Sequence, residues 1–87
     1  MVYSDDANLG EAEKILLAMH NLSLVRPERA WTSTEIAKII TIMEEEVLKI
    51  LTELENTGYV KSFTDQDGIK KFFLSSSGII KISAFFT

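Results

Sequence analysis

The sequence contains no cysteine, one proline, one histidine and four glycines in 87 residues. The lack of cysteine excludes disulfide bonds and thiolate metal sites. No apolar run is long enough to span a membrane, and no secretory signal opens the chain. We therefore expect a cytoplasmic protein.

Positive charge is also scarce. Nine lysines and arginines face 13 aspartates and glutamates, which gives a net charge of −4 and a pI near 4.9. Broad affinity for nucleic acids normally comes with a basic surface. The balance argues against such broad affinity, although it leaves room for a local basic patch.

Motifs of catalysis are missing as well. The sequence has no Gly-rich phosphate loop, no cluster of metal ligands, and no serine or cysteine set with histidine at a recognisable spacing. The single histidine, His20, lies near the end of a predicted helix, where a capping or surface role fits. We expect neither an enzyme nor a bound cofactor.

The length of 87 residues fits one domain. We expect residues 1–7 to form a flexible leader and residues 8–87 to form the domain. Asn8 and Glu11 have the spacing of a helix cap, and a helix is predicted over about Asn8–Asn21. Its apolar positions recur at helical spacing: Leu9, Ala12, Leu16 and Met19.

The centre of the chain carries the same helix-start signal twice. Thr32 is followed three residues later by Glu35, and Thr41 is followed in the same way by Glu44. Each pair fits a capping box, in which two side chains satisfy each other's free amides at a helix start. Two such starts nine residues apart predict a short helix over Ser33–Ile39, a tight turn, and a second helix.

The second helix is predicted over about Ile42–Thr57, with Gly58 ending it at positive φ. Its buried stripe is expected to contain Met43, Val47, Ile50, Leu51 and Leu54. Its opposite face is expected to contain Glu45, Lys49, Thr52 and Asn56. The spacing also predicts ion pairs from Lys49 to Glu45 and Glu53.

Two β-rich runs follow, at about Tyr59–Thr64 and Ile69–Leu74. The intervening DQDG predicts a hairpin turn with Gly68 at positive φ. Ala30 and Trp31 could form a very short strand before Thr32. The apolar end, IIKISAFF, could form a helix or a final strand, and the whole order indicates an α+β winged helix-turn-helix.

Thr32–Gly78 resembles the winged helix-turn-helix of MarR-like transcription regulators. The residues that match the Thr-x-x-Glu-Leu-Ala start, the Leu-Glu-x-x-Gly helix end and the Leu-Thr-x-x-Gly exit from the hairpin are Thr32, Glu35, Ile36, Ala37, Leu54, Glu55, Gly58, Leu74, Ser75 and Gly78. The resemblance implies DNA binding through the second helix and the hairpin.

The chain departs from this family in the charge of the expected DNA face. That face would carry five acidic and three basic residues: Glu44, Glu45, Glu46, Asp65, Asp67, Lys49, Lys70 and Lys71. Carboxylates oppose phosphate contacts, although a glutamate can accept from cytosine N4. Leu48 should be half-exposed there, which suits a protein partner better than a phosphate backbone.

Two functions follow from this pattern. In the first, the chain is a small transcription regulator that binds double-stranded DNA through Lys38, Glu45, Leu48, Lys49, Thr52, Lys70 and Lys71, with Arg26 and Arg29 as further phosphate contacts. In the second, the same surface docks another protein, with little or no DNA binding. In either case we expect a homodimer built from the first helix and Ile79–Phe86.

Overall fold

The computed structural model describes residues 10–84. Within that range, four α-helices, a 3₁₀ turn and a two-stranded antiparallel hairpin follow one another. They are α1 (Glu11–Asn21), the 3₁₀ turn (Pro27–Arg29), α2 (Ser33–Ile40), α3 (Glu44–Asn56), β1 (Val60–Thr64), β2 (Lys70–Leu74) and α4 (Ser76–Ser83). The predicted α+β winged-helix order is confirmed.

Helix α1 begins later than the sequence predicts. Gly10 is its N-cap, has extended backbone angles and makes no side-chain cap bond. Glycine is a poor helix former, which fits a start at this point. The predicted cap residue Asn8, the apolar Leu9 and the predicted leader lie outside the described residues.

Helix α2 begins with the predicted capping box. The Thr32 hydroxyl oxygen accepts from the Glu35 amide at 3.1 Å, and the Glu35 carboxylate accepts from the Thr32 amide at 2.9 Å. The first of the two predicted helix starts is therefore confirmed.

The second predicted capping box, Thr41 with Glu44, is wrong. Thr41 ends α2 in the left-handed conformation (φ 59°, ψ 40°), and its amide bonds to the Ala37 carbonyl. Helix α3 begins at Glu44 after Met43, which makes no side-chain cap bond. The tight turn needs a left-handed residue directly after α2, and Thr41 occupies that position.

Helix α3 buries one face, as predicted. Its buried residues are Val47, Ile50, Leu51 and Leu54. Met43 was expected among them but is 72% exposed, because it precedes the helix. Gly58 follows the helix end with φ 89°, as predicted.

The hairpin pairs Val60 with Leu74 at its base and Thr64 with Lys70 near its tip. We call β1, the loop 65–69 and β2 the wing. Val60, Phe72 and Leu74 are buried on its inner face. Trp31 adds the predicted short strand contact, since its amide and carbonyl both bond to Phe72.

The described part of the apolar end lies in a helix, α4, rather than a strand. Phe85 and Phe86, which were predicted to take part in the dimer, lie outside the described residues. Ser75 caps α4 by accepting from the Gly78 amide and also donates to the Gly58 carbonyl. Gly78 lies so close to the Tyr59 carbonyl that a Cβ there would overlap it. In α4, Ile82 is buried and Ile80 is 70% exposed.

The core lies where α1 meets α2, α3, α4 and β2. Its fully buried side chains are Ile15, Leu16, Met19, Leu24, Ile36, Val47, Leu51, Val60, Phe72, Leu74 and Ile82. None of the helices between residues 10 and 84 has the length and apolar character needed to cross a membrane.

Candidate nucleic-acid interface

One face of α3 is open to solvent along its whole length. It carries Glu45, Leu48, Lys49, Thr52 and Asn56, and we call these five residues the α3 face. Polar side chains on such a helix can reach base edges in a major groove. All residues of the α3 face except Asn56 are site residues predicted from the sequence.

Lys49 is the only cation on the α3 face. The predicted ion pairs from Lys49 to Glu45 and Glu53 do not form, since the ion pairs among the described residues join Lys70 to Glu55 and Lys71 to Asp65. The ammonium group of Lys49 is therefore available to an anionic partner.

Two other members of the α3 face have distinct surroundings. The Thr52 hydroxyl donates to the Leu48 carbonyl at 2.9 Å, so its oxygen keeps acceptor capacity toward solvent. Leu48 is 44% exposed, which confirms the predicted half-exposure.

Lys38 lies on the exposed side of α2. It is one helical turn beyond Thr34, whose hydroxyl donates to the Glu44 carboxylate at 2.6 Å. This bond brings the exposed side of α2 next to the first turn of α3. The structure thus places Lys38 in the same helix-turn-helix as Lys49.

Two of the three wing lysines, Lys70 and Lys71, differ from Lys49 because each is paired with a carboxylate. The Lys70 ammonium lies 3.4 Å from the Glu55 carboxylate and 5.4 Å from the centre of the Phe72 ring. The Lys71 ammonium lies 3.5 Å from the Asp65 carboxylate. A phosphate group would have to compete with these carboxylates for either lysine.

Asp65 organises the wing tip. Its carboxylate accepts from the Asp67 amide at 2.8 Å and from the Ile69 amide at 3.0 Å. The bond from the Ile69 amide, with help from Asp67 and Lys71, lowers the pKa of Asp65 below its ordinary value of 3.8 despite partial desolvation. Gly68 takes φ 81°, as predicted, and allows the chain to turn.

Glu55 matches the Leu-Glu-x-x-Gly motif but was not among the predicted site residues. Its carboxylate accepts from the Ser62 hydroxyl of β1 at 2.6 Å and contacts Lys70 of β2. The last turn of α3 is thus bonded to both strands of the wing. A glutamate followed by a β-strand serine seven residues later is too general a pattern to reveal this contact.

Lys61 was also missed. It is exposed on the outer face of the wing, where it is paired in register with Phe73. Phe63 lies on the same face with its ring centre 6.4 Å from that of Phe73. An alternation of lysine and phenylalanine in the two strands was the available signal.

Of the two arginines in the loop after α1, Arg29 is the less available. Arg29 donates to the Ser23 carbonyl at 3.0 Å and to the Leu22 carbonyl at 3.4 Å, which holds its guanidinium on its own loop. Arg26 is exposed. Residues 10–84 contain no group of three or more side chains that could hold a metal ion.

The fold is similar to several solved structures. MepR of Staphylococcus aureus in complex with DNA matches with a TM-score of 0.70 and 20% identity, over 94% of this chain and 65% of MepR. The DNA-binding fragment of TubR from Clostridium botulinum matches with a TM-score of 0.76 and 21% identity, over 86% of this chain and 93% of the fragment. Apo MarR of Escherichia coli matches with a TM-score of 0.70 and 15% identity, over 84% of this chain and 51% of MarR.

This chain spans 54–65% of the length of four MepR chains. No protein-family model and no curated protein sequence matches it. At identities of 15–21%, the structural likeness establishes the fold. The chain is therefore a winged helix-turn-helix domain with the architecture that MarR, MepR and TubR share.

Proposed function

We propose that this chain binds double-stranded DNA as a transcription regulator, with α3 in the major groove and the wing beside it. The observation that carries the proposal is the likeness, over 94% of the chain, to a MepR structure that contains DNA. The exposed α3 face supports it, because a recognition helix needs an open polar surface.

The charges of the described residues support a division of labour within this interface. Lys49 and Lys38 are exposed and have no ion pair with a described residue, so they can contact phosphates. Thr52 and Asn56 can hydrogen-bond to base edges, and Glu45 can accept from cytosine N4. Few free cations mean modest affinity for random DNA and a greater dependence on base contacts.

A homodimer in the cytoplasm completes the proposal. Ile80 is 70% exposed on α4, which packs against α1, so an apolar surface is available for a second copy. Two α3 helices related by a two-fold axis would read half-sites about 10 base pairs apart. Sedimentation at micromolar concentration tests the dimer; Ile80→Glu should give a folded monomer, and a monomeric wild type would reject the dimer.

DNA binding is tested by titrating fluorescent genomic duplex fragments with the protein at about 50 and 200 mM salt, the range where phosphate-driven binding falls steeply. We expect saturable binding at the lower salt that weakens at the higher one. An absence of binding at both salts would reject the proposal.

A protein-docking function would leave a different result. Leu48 is the observation that favours it, since a 44% exposed leucine could fill a partner's pocket. If the function is DNA binding, Leu48→Asp adds only local repulsion. If another protein docks on the α3 face, the same change abolishes that complex and no duplex binding is seen.

A further inference from the structure

We propose that Glu55 is a positioning residue that fixes the wing relative to α3, so that both can contact one DNA duplex. The inference rests on the proposed DNA-binding function and assigns the coupling between the two contacting elements to one carboxylate. Glu55 itself need not touch DNA.

The contacts of Glu55 join three elements of the interface. One carboxylate oxygen accepts from the Ser62 hydroxyl of β1 at 2.6 Å, and the other lies 3.4 Å from the Lys70 ammonium of β2. Both strands of the wing are therefore bonded to the last turn of α3. The side chain is only 33% exposed, so water competes weakly for these contacts.

Among residues 10–84, no side chain nearer the tip of the wing than Ser62 and Lys70 bonds to α3. Asp65 and Lys71 bond within the wing itself. The buried apolar side chains of the wing lie at its base, Val60 and Leu74, and at its middle, Phe72, which also bonds to Trp31 through its backbone. Without the Glu55 contacts, the outer half of the hairpin would keep the backbone bonds of Phe72 to Trp31 but lose its side-chain link to α3, and we expect its angle to α3 to vary more. A wing whose angle varies must become ordered when it binds DNA, and this ordering costs free energy.

The opposite end of α3 shows the same arrangement. Glu44 accepts from the Thr34 hydroxyl of α2, and Glu55 accepts from the Ser62 hydroxyl of β1. Glu45 and Glu53 make no such bond to another described residue. Glu44 and Glu55 therefore each connect one end of α3 to a neighbouring element. The hydrogen bond that each accepts gives a structural reason for a carboxylate at that position.

The test compares Glu55→Ala with Glu53→Ala, in duplex titrations and in NMR measurements of the angle between α3 and the wing. Each variant removes one negative charge from α3, but Glu53 is exposed and its carboxylate has no hydrogen bond or ion pair to another described residue. Loss of charge alone should tighten DNA binding in both variants, because it reduces repulsion of phosphates.

We expect Glu53→Ala to tighten binding roughly twofold. Glu55→Ala should weaken binding at least about threefold even though it releases Lys70 from its ion pair, because the wing loses its position relative to α3. Residual dipolar couplings of the free protein should show a changed or averaged wing angle in Glu55→Ala only. Glu55→Gln keeps an acceptor for Ser62 and should recover part of the affinity. Ser62→Ala should weaken binding without any change in charge.

The inference is overturned if Glu55→Ala tightens binding as Glu53→Ala does and the wing angle stays unchanged. Circular dichroism and urea unfolding confirm that each variant remains folded at the measuring temperature. If the wild type binds no duplex, the proposed function fails. The residual dipolar couplings then test on their own whether Glu55 positions the wing. An unchanged wing angle in Glu55→Ala rejects that role.

Discussion

Helix α3 and the wing present their lysines in opposite ways. On α3, Lys49 is exposed and has no ion pair to a described residue, although Glu45 lies one turn before it and Glu53 one turn after it. In the wing, Lys70 and Lys71 are each paired with a carboxylate. The number of lysines on a surface therefore does not give the charge available to a phosphate. Of the three lysines in the wing, only Lys61 has no ion pair to a described residue.

The largest effect on duplex affinity is expected when Lys49 of α3 is replaced. Lys49→Gln should weaken binding to all duplexes about tenfold at low salt and reduce the salt slope by about one, because a free phosphate contact is lost. Lys14→Gln, on the exposed side of α1, is the control and should leave both values unchanged. Equal losses in the two variants would mean that only net charge matters.

The second prediction concerns the stability of α2, which packs against α3. Thr32→Ala should lower the free energy of unfolding by about 1 kcal/mol, since it removes a hydrogen-bonded N-cap. Thr41→Ala is the matched control, because Thr41 ends α2 and caps no helix with its side chain. Urea unfolding of the two variants measures the difference, and a loss at Thr41 as large as at Thr32 would contradict the observed caps.

The third prediction concerns the tip of the wing, where Asp65 accepts two backbone hydrogen bonds. The pKa of Asp65 is lowered by folding, so its stabilisation is present above 3.8 and is lost as the pH falls through the lower folded-state value. Asp65→Asn should therefore destabilise the protein more near pH 7 than at about pH 3. Urea unfolding at the two pH values measures this, and an equal loss at both would reject the role of the charge.

The smallest effect on duplex affinity is expected when Lys70 and Lys71 of the wing are replaced. Lys70→Gln with Lys71→Gln should change duplex affinity less than Lys49→Gln alone, since both lysines are already neutralised by Glu55 and Asp65. The salt slope in the duplex titration should stay nearly the same. A slope reduced by about two would show that DNA breaks both ion pairs and would remove the contrast between helix and wing.

Local signals predicted most of the fold. The Thr32 box, the stripe of α3 and the hairpin with Gly68 all depend on residues a few positions apart, and each is present. The Thr41 signal was wrong because the same spacing cannot tell a helix start from the left-handed turn that ends the preceding helix.

The site was less predictable than the fold. The exposed positions of α3 follow from helical periodicity, so Lys49 and Thr52 could be placed. The contacts of Glu55 with Ser62 and Lys70 arise only when the wing folds back on α3. A sequence read as local patterns does not contain the distance between those side chains.

The most direct test of DNA binding through α3 and the wing is chemical-shift mapping of the ¹⁵N-labelled protein with a random-sequence duplex at low salt. We expect the largest shifts at the α3 face and at the wing tip around Asp65 and Gly68, with Ile80 on α4 little changed. Shifts confined to α4, or no shifts at any duplex concentration, would contradict the account.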